Sequence, residues 1–393
     1  MTRFLNIPGR AGRYLYHEAT LPRPRAVSSG GGSFEEPLVV AGMFRTSNGI
    51  GRAAMACHSA LSRQGHRPIA VDLAEMFNQV EHAAAEAIEP MPQSRSGTLL
   101  LFANAPETRR ALIGLGLRRW HNWRIMGCWA WELPAVPPDW PRNARYLSEV
   151  WVPSQFVAES LGPDFAKPVK TVPHHVPVPD MRPLELPCEV TGAPFRMLCS
   201  ADGRSSFHRK NIMATVRAFL RAFEGDPGVE LIVKCRNLEQ FPEFARELKL
   251  AESNDARIRL LTHTMTGAEM TQLVRETDLI VSTHRSEGFG LVLAEAMALG
   301  KPVMATGWSG NLQFMTESNS RLLPYELESV SDPTGIYNEN TELKWARVDE
   351  DATIRAMREL RQSAEYRYTL AERARQDVAK SLDGGVYQRA LMA

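Results

Sequence analysis

The chain has 393 residues, 44% of them hydrophobic and 23% charged, which is enough apolar material for two cores and excludes a disordered or collagen-like polymer. Lys+Arg of 46 against Asp+Glu of 45 leaves a formal charge of +1, so no overall field draws the chain to nucleic acid. No apolar run approaches the ~20 residues of a bilayer span, and the N-terminal MTRFLNIPGRAGRYLYHEAT lacks the apolar core of a secretion signal.

In chain order, residues 1–37 read as a flexible leader, arginine-bearing and ending in SSGGGSFEEP, a composition that packs poorly. LVVAG (38–42) is a predicted strand and GRAAMACHSALSRQG (51–65) a helix with a glycine stop. RPIAVD (67–72), GTLLLFAN (97–104), RIMGCWAW (124–131), EVWVPS (149–154) and PVKTVPHHV (168–176) continue the strand series. Helices are predicted at ETRRALIGLG (107–116) and SQFVAESLG (154–162), the second with Ser154 as its N-cap. These strands are continuous apolar runs, the pattern of a parallel sheet covered on both faces.

A proline-rich stretch without periodicity, 176–194, predicts a hinge linker. The alternation then restarts with strands at FRMLCSA (195–201), ELIVKC (230–235), RIRLLT (257–262), DLIVST (278–283) and KPVMAT (301–306). Helices fall at NIMATVRAFLRAF (211–223), near 239–252, at GAEMTQLVRET (267–277) and at GLVLAEAMALG (290–300). The expected class is α/β, with two Rossmann-like βα domains over 38–175 and 195–352 facing a central cleft. A C-terminal amphipathic stretch, 353–393, is expected to cross back onto the first domain. Cys57, Cys128, Cys188, Cys199 and Cys235 show no CxxC spacing and read as reduced thiols of a cytoplasmic protein.

Residues 278–314 carry the densest chemistry. Gly288 and Gly290 let backbone approach a ligand, and the N–H groups of Phe289, Gly290 and Leu291 point outward at the positive end of a helix. Glu287 lies in the loop and Glu295 about one and a half turns into the helix, and a carboxylate there suits a vicinal diol. After strand 195–201 come Arg204 and Lys210, with Arg209 between them. In the first half, Gly49 and Gly51 precede a helix. Read literally they also begin G-x-G-x-x-A with Asp72 downstream, a dinucleotide fingerprint, although MFRTSN intervenes after the strand and loosens the turn that fingerprint needs. Trp129 and Trp131 fall near the carboxyl end of the predicted strand, and Trp131 with Glu132 is expected toward the cleft. Asp349–Glu350–Asp351 spells D-x-D but reads as charge at a helix start.

The run from DLIVS through EGFGLVLAEAMALGKPV to GWSGN resembles the Glu-x7-Glu region of the retaining family 4 glycosyltransferases, which have the GT-B fold. That resemblance implies Glu287 beside the donor sugar and leaving phosphate, Glu295 on the ribose, and the backbone of Phe289, Gly290 and Leu291 on sugar and diphosphate. It implies an Arg204 and Lys210 clamp that neutralises the departing diphosphate, and a Gly49–Gly51 loop over the donor. CWAWELP looks like a signature of bacterial polysaccharide-building members, with Trp131 and Glu132 toward the acceptor. Many relatives carry a histidine after this strand, and none occurs between 122 and 173 here. The expected activity is a hexosyltransferase that moves a sugar from a nucleotide-diphosphate sugar, GDP-mannose at family level, to a glycan or lipid-linked saccharide. The 38–175 domain would take the acceptor and the 195–352 domain the donor, with no cofactor, no metal and at most peripheral contact with the inner membrane face. A silent nucleotide-sugar binding module and a sugar-nucleotide epimerase of the same architecture are the alternatives.

Overall fold

The computed structural model describes residues 34–393 except 85, 117–119, 180–191 and 338–339. Most of the expected leader, the middle of the expected linker and Cys188 therefore lie outside the described residues. Two six-stranded sheets form among the described residues, and every strand pairing within them is parallel.

The first sheet holds β1 (Leu38–Gly42), β2 (Ile69–Asp72), β3 (Ser96–Leu101), β4 (Asn122–Cys128), β5 (Glu149–Val152) and β6 (Val169–Thr171). Its order is β2-β1-β3-β4-β5-β6, interleaved in sequence with α1 (Gly49–Arg63), α2 (Ala105–Leu115), α3 (Trp140–Asn143) and α4 (Gln155–Ser160). Both faces are dry, as the apolar runs require: Leu38 and Val40 pack with Ala54, Cys57 and Leu61 of α1, while Val39 and Ala41 face Leu99 and Trp123. Ser154 caps α4, its Oγ accepting from Val157 N at 3.3 Å.

The second sheet holds β7 (Phe195–Asp202), β8 (Val229–Arg236), β9 (Ile258–Leu261), β10 (Leu279–Ser282), β11 (Val303–Thr306) and β12 (Arg321–Leu323) in the order β12-β11-β10-β7-β8-β9. Its helices are α5 (Phe207–Lys210), α6 (Ile212–Ala222), α7 (Pro242–Asn254), α8 (Gly267–Arg275) and α9 (Leu291–Ala298). In each sheet the strand order reverses once, at β1/β3 and at β7/β10. A crevice opens beyond the carboxyl ends of such strands, which is where an α/β sheet receives a ligand.

Two features differ from the sequence expectation. Tyr325–Val330 and Asn340–Val348 form an antiparallel hairpin, β13 and β14, which a search for continuous apolar runs passes over because YELESV is polar and exposed over its first half. Val330, Tyr337 and Trp345 pack with the partly buried Trp308 and, across the seam between the halves, with Leu133 and the partly buried Trp131. The stretch from 353 is not one helix. Ser363 ends α10 (Glu350–Gln362) and caps α11 (Ala364–Ser381), and both pack on the second half. The element that crosses to the first half is α12 (Gly385–Met392), whose Tyr387 and Leu391 join Cys57, Leu61 and Trp151. Arg124 and Lys170 fasten it by donating to the carbonyls of Leu391 and Ala390, at 3.0 and 3.2 Å. No helix among the described residues is long and apolar enough to cross a membrane.

Candidate functional site

The carboxyl ends of β7 and β10 meet at the second switch point. After β7 the chain turns through Ser206 (φ 62°) into α5 and through Asn211 (φ 51°) into α6, two left-handed positions at residues other than glycine. Side chains hold both turns. Ser206 Oγ donates to Asp332 at 3.0 Å and accepts from Arg209 N at 3.1 Å, and Asn211 Nδ2 donates to the Thr283 carbonyl at 3.0 Å. Strain kept by its surroundings in this way marks a place where geometry matters.

This path aims Arg209 and Lys210 at Glu287 in the loop after β10. Lys210 Nζ contacts Glu287 Oε1, and Arg209 Nη1 lies 3.2 Å from Oε2. Arg209 is 2% exposed and also donates to the carbonyls of Ser286 at 2.6 Å and Ser205 at 3.1 Å. Burial alone would push the Glu287 carboxyl up, but Lys210, Arg209 and His284 together outweigh it and hold the group down to about 2. Arg209 suffers the same burial, and the charges of Glu287 and Glu132 with the neighbouring Tyr337 raise its pKa above the usual value. Glu287 is thus a fixed anion and Arg209 a fixed cation. His284, fully buried, sits with Nδ1 3.0 Å from Ser282 Oγ and Nε2 3.1 Å from Asn311 Oδ1; burial lowers its pKa, favouring the neutral ring.

The Glu287 loop is clamped from behind. Glu287 N donates to Ser309 Oγ and Gly310 N to the Glu287 carbonyl, each at 2.8 Å. A Cβ on Gly310 would sit 2.1 Å from the Gly288 carbonyl, so only glycine permits this contact. Phe289 is 4% exposed, its ring against His174 and Phe314 at 4.9 Å each, so only its backbone is available to a ligand. Gly290 (φ 87°) starts α9, whose first amides have no partner within the helix.

The first half closes on this loop. Ser154 Oγ donates to the Gly288 carbonyl at 2.6 Å, Ser286 Oγ donates to the Glu132 carbonyl, and Gln155 N donates to Gln313 Oε1 at 2.9 Å. Glu132 accepts from the Tyr337 hydroxyl at 2.9 Å and lies 3.9 Å from Arg209 Nη2, so its carboxylate is engaged with the second half. Trp131 packs against Trp140 (4.9 Å) and Tyr337 (5.7 Å), whereas Trp129 is buried in the core of the first half.

A second group of charges spans the cleft farther along. Gly51 must be glycine because a Cβ would lie 2.5 Å from the Met43 carbonyl, and its N–H is taken by the Asn48 cap at 2.8 Å. Gly49 has open space where a Cβ would stand. Asn48 caps the helix, so Gly49 and Gly51 lie in the first turn of α1 rather than before it, and the next residue, Arg52, contacts Glu295 of α9. Arg204 does not join Lys210. Its half-exposed guanidinium lies 3.4 Å from Glu81 of the first half, which also binds Arg236 at 3.1 Å.

Of the sequence-predicted residues, the structure brings together Lys210 and Glu287, with Trp131 and Glu132 at the same seam, and leaves Arg204 and Glu295 to the neighbouring cluster. The Ser206 turn points Arg209 inward onto Glu287 and leaves Arg204 at the rim on Glu81. Sequence reasoning passed over Tyr337, Arg52, Glu81 and Ser309. Only Arg52, beside the glycine pair, carried a signal that could have found it. Asp72 accepts from Phe44 N and Arg45 Nε, both at 2.8 Å, so it serves the loop after β1 rather than a dinucleotide ribose. Asp349 caps α10 by accepting from Ala352 N at 2.8 Å, as a helix start does.

A family model described as "Family 4 Glycosyltransferase in conflict systems" matches residues 156–382, more than half of the chain. The alpha-1,3/1,6-mannosyltransferase ALG2 of Kluyveromyces lactis is 29% identical over 110 residues, 28% of this chain and 21% of that protein. The chain thus aligns with about a fifth of the curated relative. A glycosyltransferase from Rickettsia africae superposes with a TM-score of 0.62 at 14% identity, covering 90% of this chain and 95% of that one. HepE of Anabaena, solved with UDP and glucose, superposes with a TM-score of 0.61 at 14% identity, covering 90% and 97%. These two neighbours share the two-sheet GT-B fold.

Proposed function

This chain belongs to the family 4 glycosyltransferases of conflict systems, and on that premise we propose that it moves a sugar from a nucleotide-diphosphate sugar to a saccharide or lipid-linked saccharide, with retention and without metal. The observation that carries the reading is the buried Glu287 anion, held by Lys210 and Arg209 beside the first amides of α9. Amides and an ammonium at one spot suit a diphosphate, since preorganised donors stabilise charge as it develops on a leaving group. Glu287 stays ionised at neutral pH and therefore accepts hydrogen bonds from sugar hydroxyls rather than donating a proton.

In this reading the bond between the anomeric carbon and the diphosphate oxygen breaks while the acceptor oxygen bonds to that carbon on the same face. The acceptor proton passes to the departing diphosphate, so no enzyme nucleophile is consumed. Lys210 and the α9 amides hold the diphosphate, Glu295 takes the ribose hydroxyls, and Arg204 meets the phosphates from the rim. Arg209 keeps Glu287 in place. Trp131 and Glu132 form the acceptor side of the seam, and the contacts of Ser154 and Gln155 with the second half exclude water.

The curated relative is a mannosyltransferase and HepE was solved with UDP and glucose, so GDP-mannose and UDP-glucose are both donors to test. Thermal-shift screening against UDP, GDP and ADP identifies the base, because a nucleotide at about 100 times its Kd adds ~2.7 kcal/mol to stability. Release of the diphosphate that depends on added saccharide then establishes transfer. A chain that no nucleotide stabilises refutes the proposal.

A further inference from the structure

The cross-cleft pair of Arg52 and Glu295 is built differently from the pair at Glu287. Arg209 and Glu287 are buried and tied to neighbouring backbone and side chains, whereas the side chains of Arg52 and Glu295 are 34% and 32% exposed to the cleft. Among the described residues the Glu295 carboxylate has no partner besides Arg52. Glu81 and Asp202, the other anions of this cluster, are anchored elsewhere. Glu81 accepts from Ser47 N at 2.9 Å, and Asp202 accepts from Asn237 Nδ2 at 2.6 Å. Arg236 lies close enough to Arg52 to repel it, and Arg204 shares Glu81 with Arg236. Three guanidinium groups thus meet at the cleft, Arg52 from the first half and Arg204 and Arg236 from the second, and among their described counterions only Glu295 lacks a second tie.

We infer that Arg52 is a nucleotide-binding residue that changes partner on occupancy, giving up Glu295 to a ribose diol and turning its guanidinium to the diphosphate of the same ligand. The inference rests on the donor reading above and adds the residue that links its two halves. An ion pair still one-third open to solvent is weaker than a buried one and can exchange, whereas a guanidinium on a phosphate makes two charge-assisted bonds. Ribose and diphosphate then bind cooperatively, because the first releases the cation that the second needs. A nucleoside lacking phosphates must break the Arg52–Glu295 contact with nothing in return, so in the wild-type chain Arg52 opposes nucleosides and favours diphosphates.

The test is calorimetric titration of the full chain with uridine, guanosine, UDP and GDP, in wild type, Arg52→Met and Glu295→Gln. In Arg52→Met the matching nucleoside should bind about two- to fivefold tighter, since its competitor for Glu295 is gone. The matching diphosphate should bind about tenfold weaker, because loss of the two charge-assisted bonds outweighs the gain from the freed Glu295. Glu295→Gln should weaken both ligands. A merely structural role for Arg52 would shift both ligands by a common factor, and that result, or a weakened nucleoside, overturns the partner exchange while leaving the donor site standing. Wild-type chain that binds neither diphosphate overturns the donor site and this inference together. Unchanged melting of Arg52→Met without ligand guards against a folding defect.

Discussion

Replacing Glu287 by glutamine tests the electrostatics of the site through pH. The carboxyl stands at an ordinary value of 4.5 in the unfolded chain and is held down to about 2 in the fold. At roughly 1.4 kcal/mol per unit, that difference is worth about 3 kcal/mol at neutral pH. Because the folded value is the lower one, the stabilisation is present above the unfolded value and lost as pH falls toward the folded one. About 2 kcal/mol should disappear between about pH 6 and about pH 3. Glu287→Gln leaves the buried Arg209 with Glu132 alone at 3.9 Å, so at neutral pH the variant should be about 3–5 kcal/mol less stable. On acidification the wild type loses its Glu287 contribution and the variant has none to lose, so the gap closes by about 2 kcal/mol. Urea titration followed by tryptophan fluorescence at a series of pH values measures this. Stability curves of the two proteins that run parallel from about pH 6 to about pH 3 would refute the assignment of Glu287 as an ion held by Lys210 and Arg209.

Lys210→Met removes the ammonium that contacts Glu287, and sugar transfer should slow by ~10²–10³, read as release of the nucleoside diphosphate under saturating donor. Gly288→Ala would set a Cβ 2.7 Å from the Trp131 carbonyl, prising the halves apart at the seam; the melting temperature should fall by the equivalent of ~1–3 kcal/mol and transfer should fall with it. Tyr337→Phe deletes the hydroxyl that donates to Glu132 at 2.9 Å, and chemical denaturation should show a loss of ~1.5–3 kcal/mol for a hydrogen bond to a charged group. Arg204→Ala, with its partner Glu81 at 3.4 Å and half its side chain in solvent, should change stability by less than ~1 kcal/mol while weakening UDP or GDP in titration.

The two sheets were legible because strands buried on both faces must be apolar at every position. LVVAG and DLIVST announce themselves without reference to any distant residue, and β1 and β10 lie within those runs. Lys210 and Glu287 were legible for a related reason, since each follows the carboxyl end of a strand, where parallel sheets open toward a ligand. The hairpin that carries Tyr337 was not, because YELESV is polar and exposed over its first half, with only Val330 buried, and its pairing with residues 340–348 gives no apolar run.

What one-dimensional order cannot express is which of two neighbouring cations turns inward. Arg204 and Arg209 are equivalent as sequence, and the left-handed turn at Ser206, held by an aspartate 126 residues away, separates them into a rim group and a buried one. The same holds for Glu132 with Tyr337, 205 positions apart, and for Arg52 with Glu295. The sequence alone determined the repeating βα frame, since local burial demands local composition. Tertiary structure alone decided which charges meet, because a salt bridge leaves no mark on the residues between its partners.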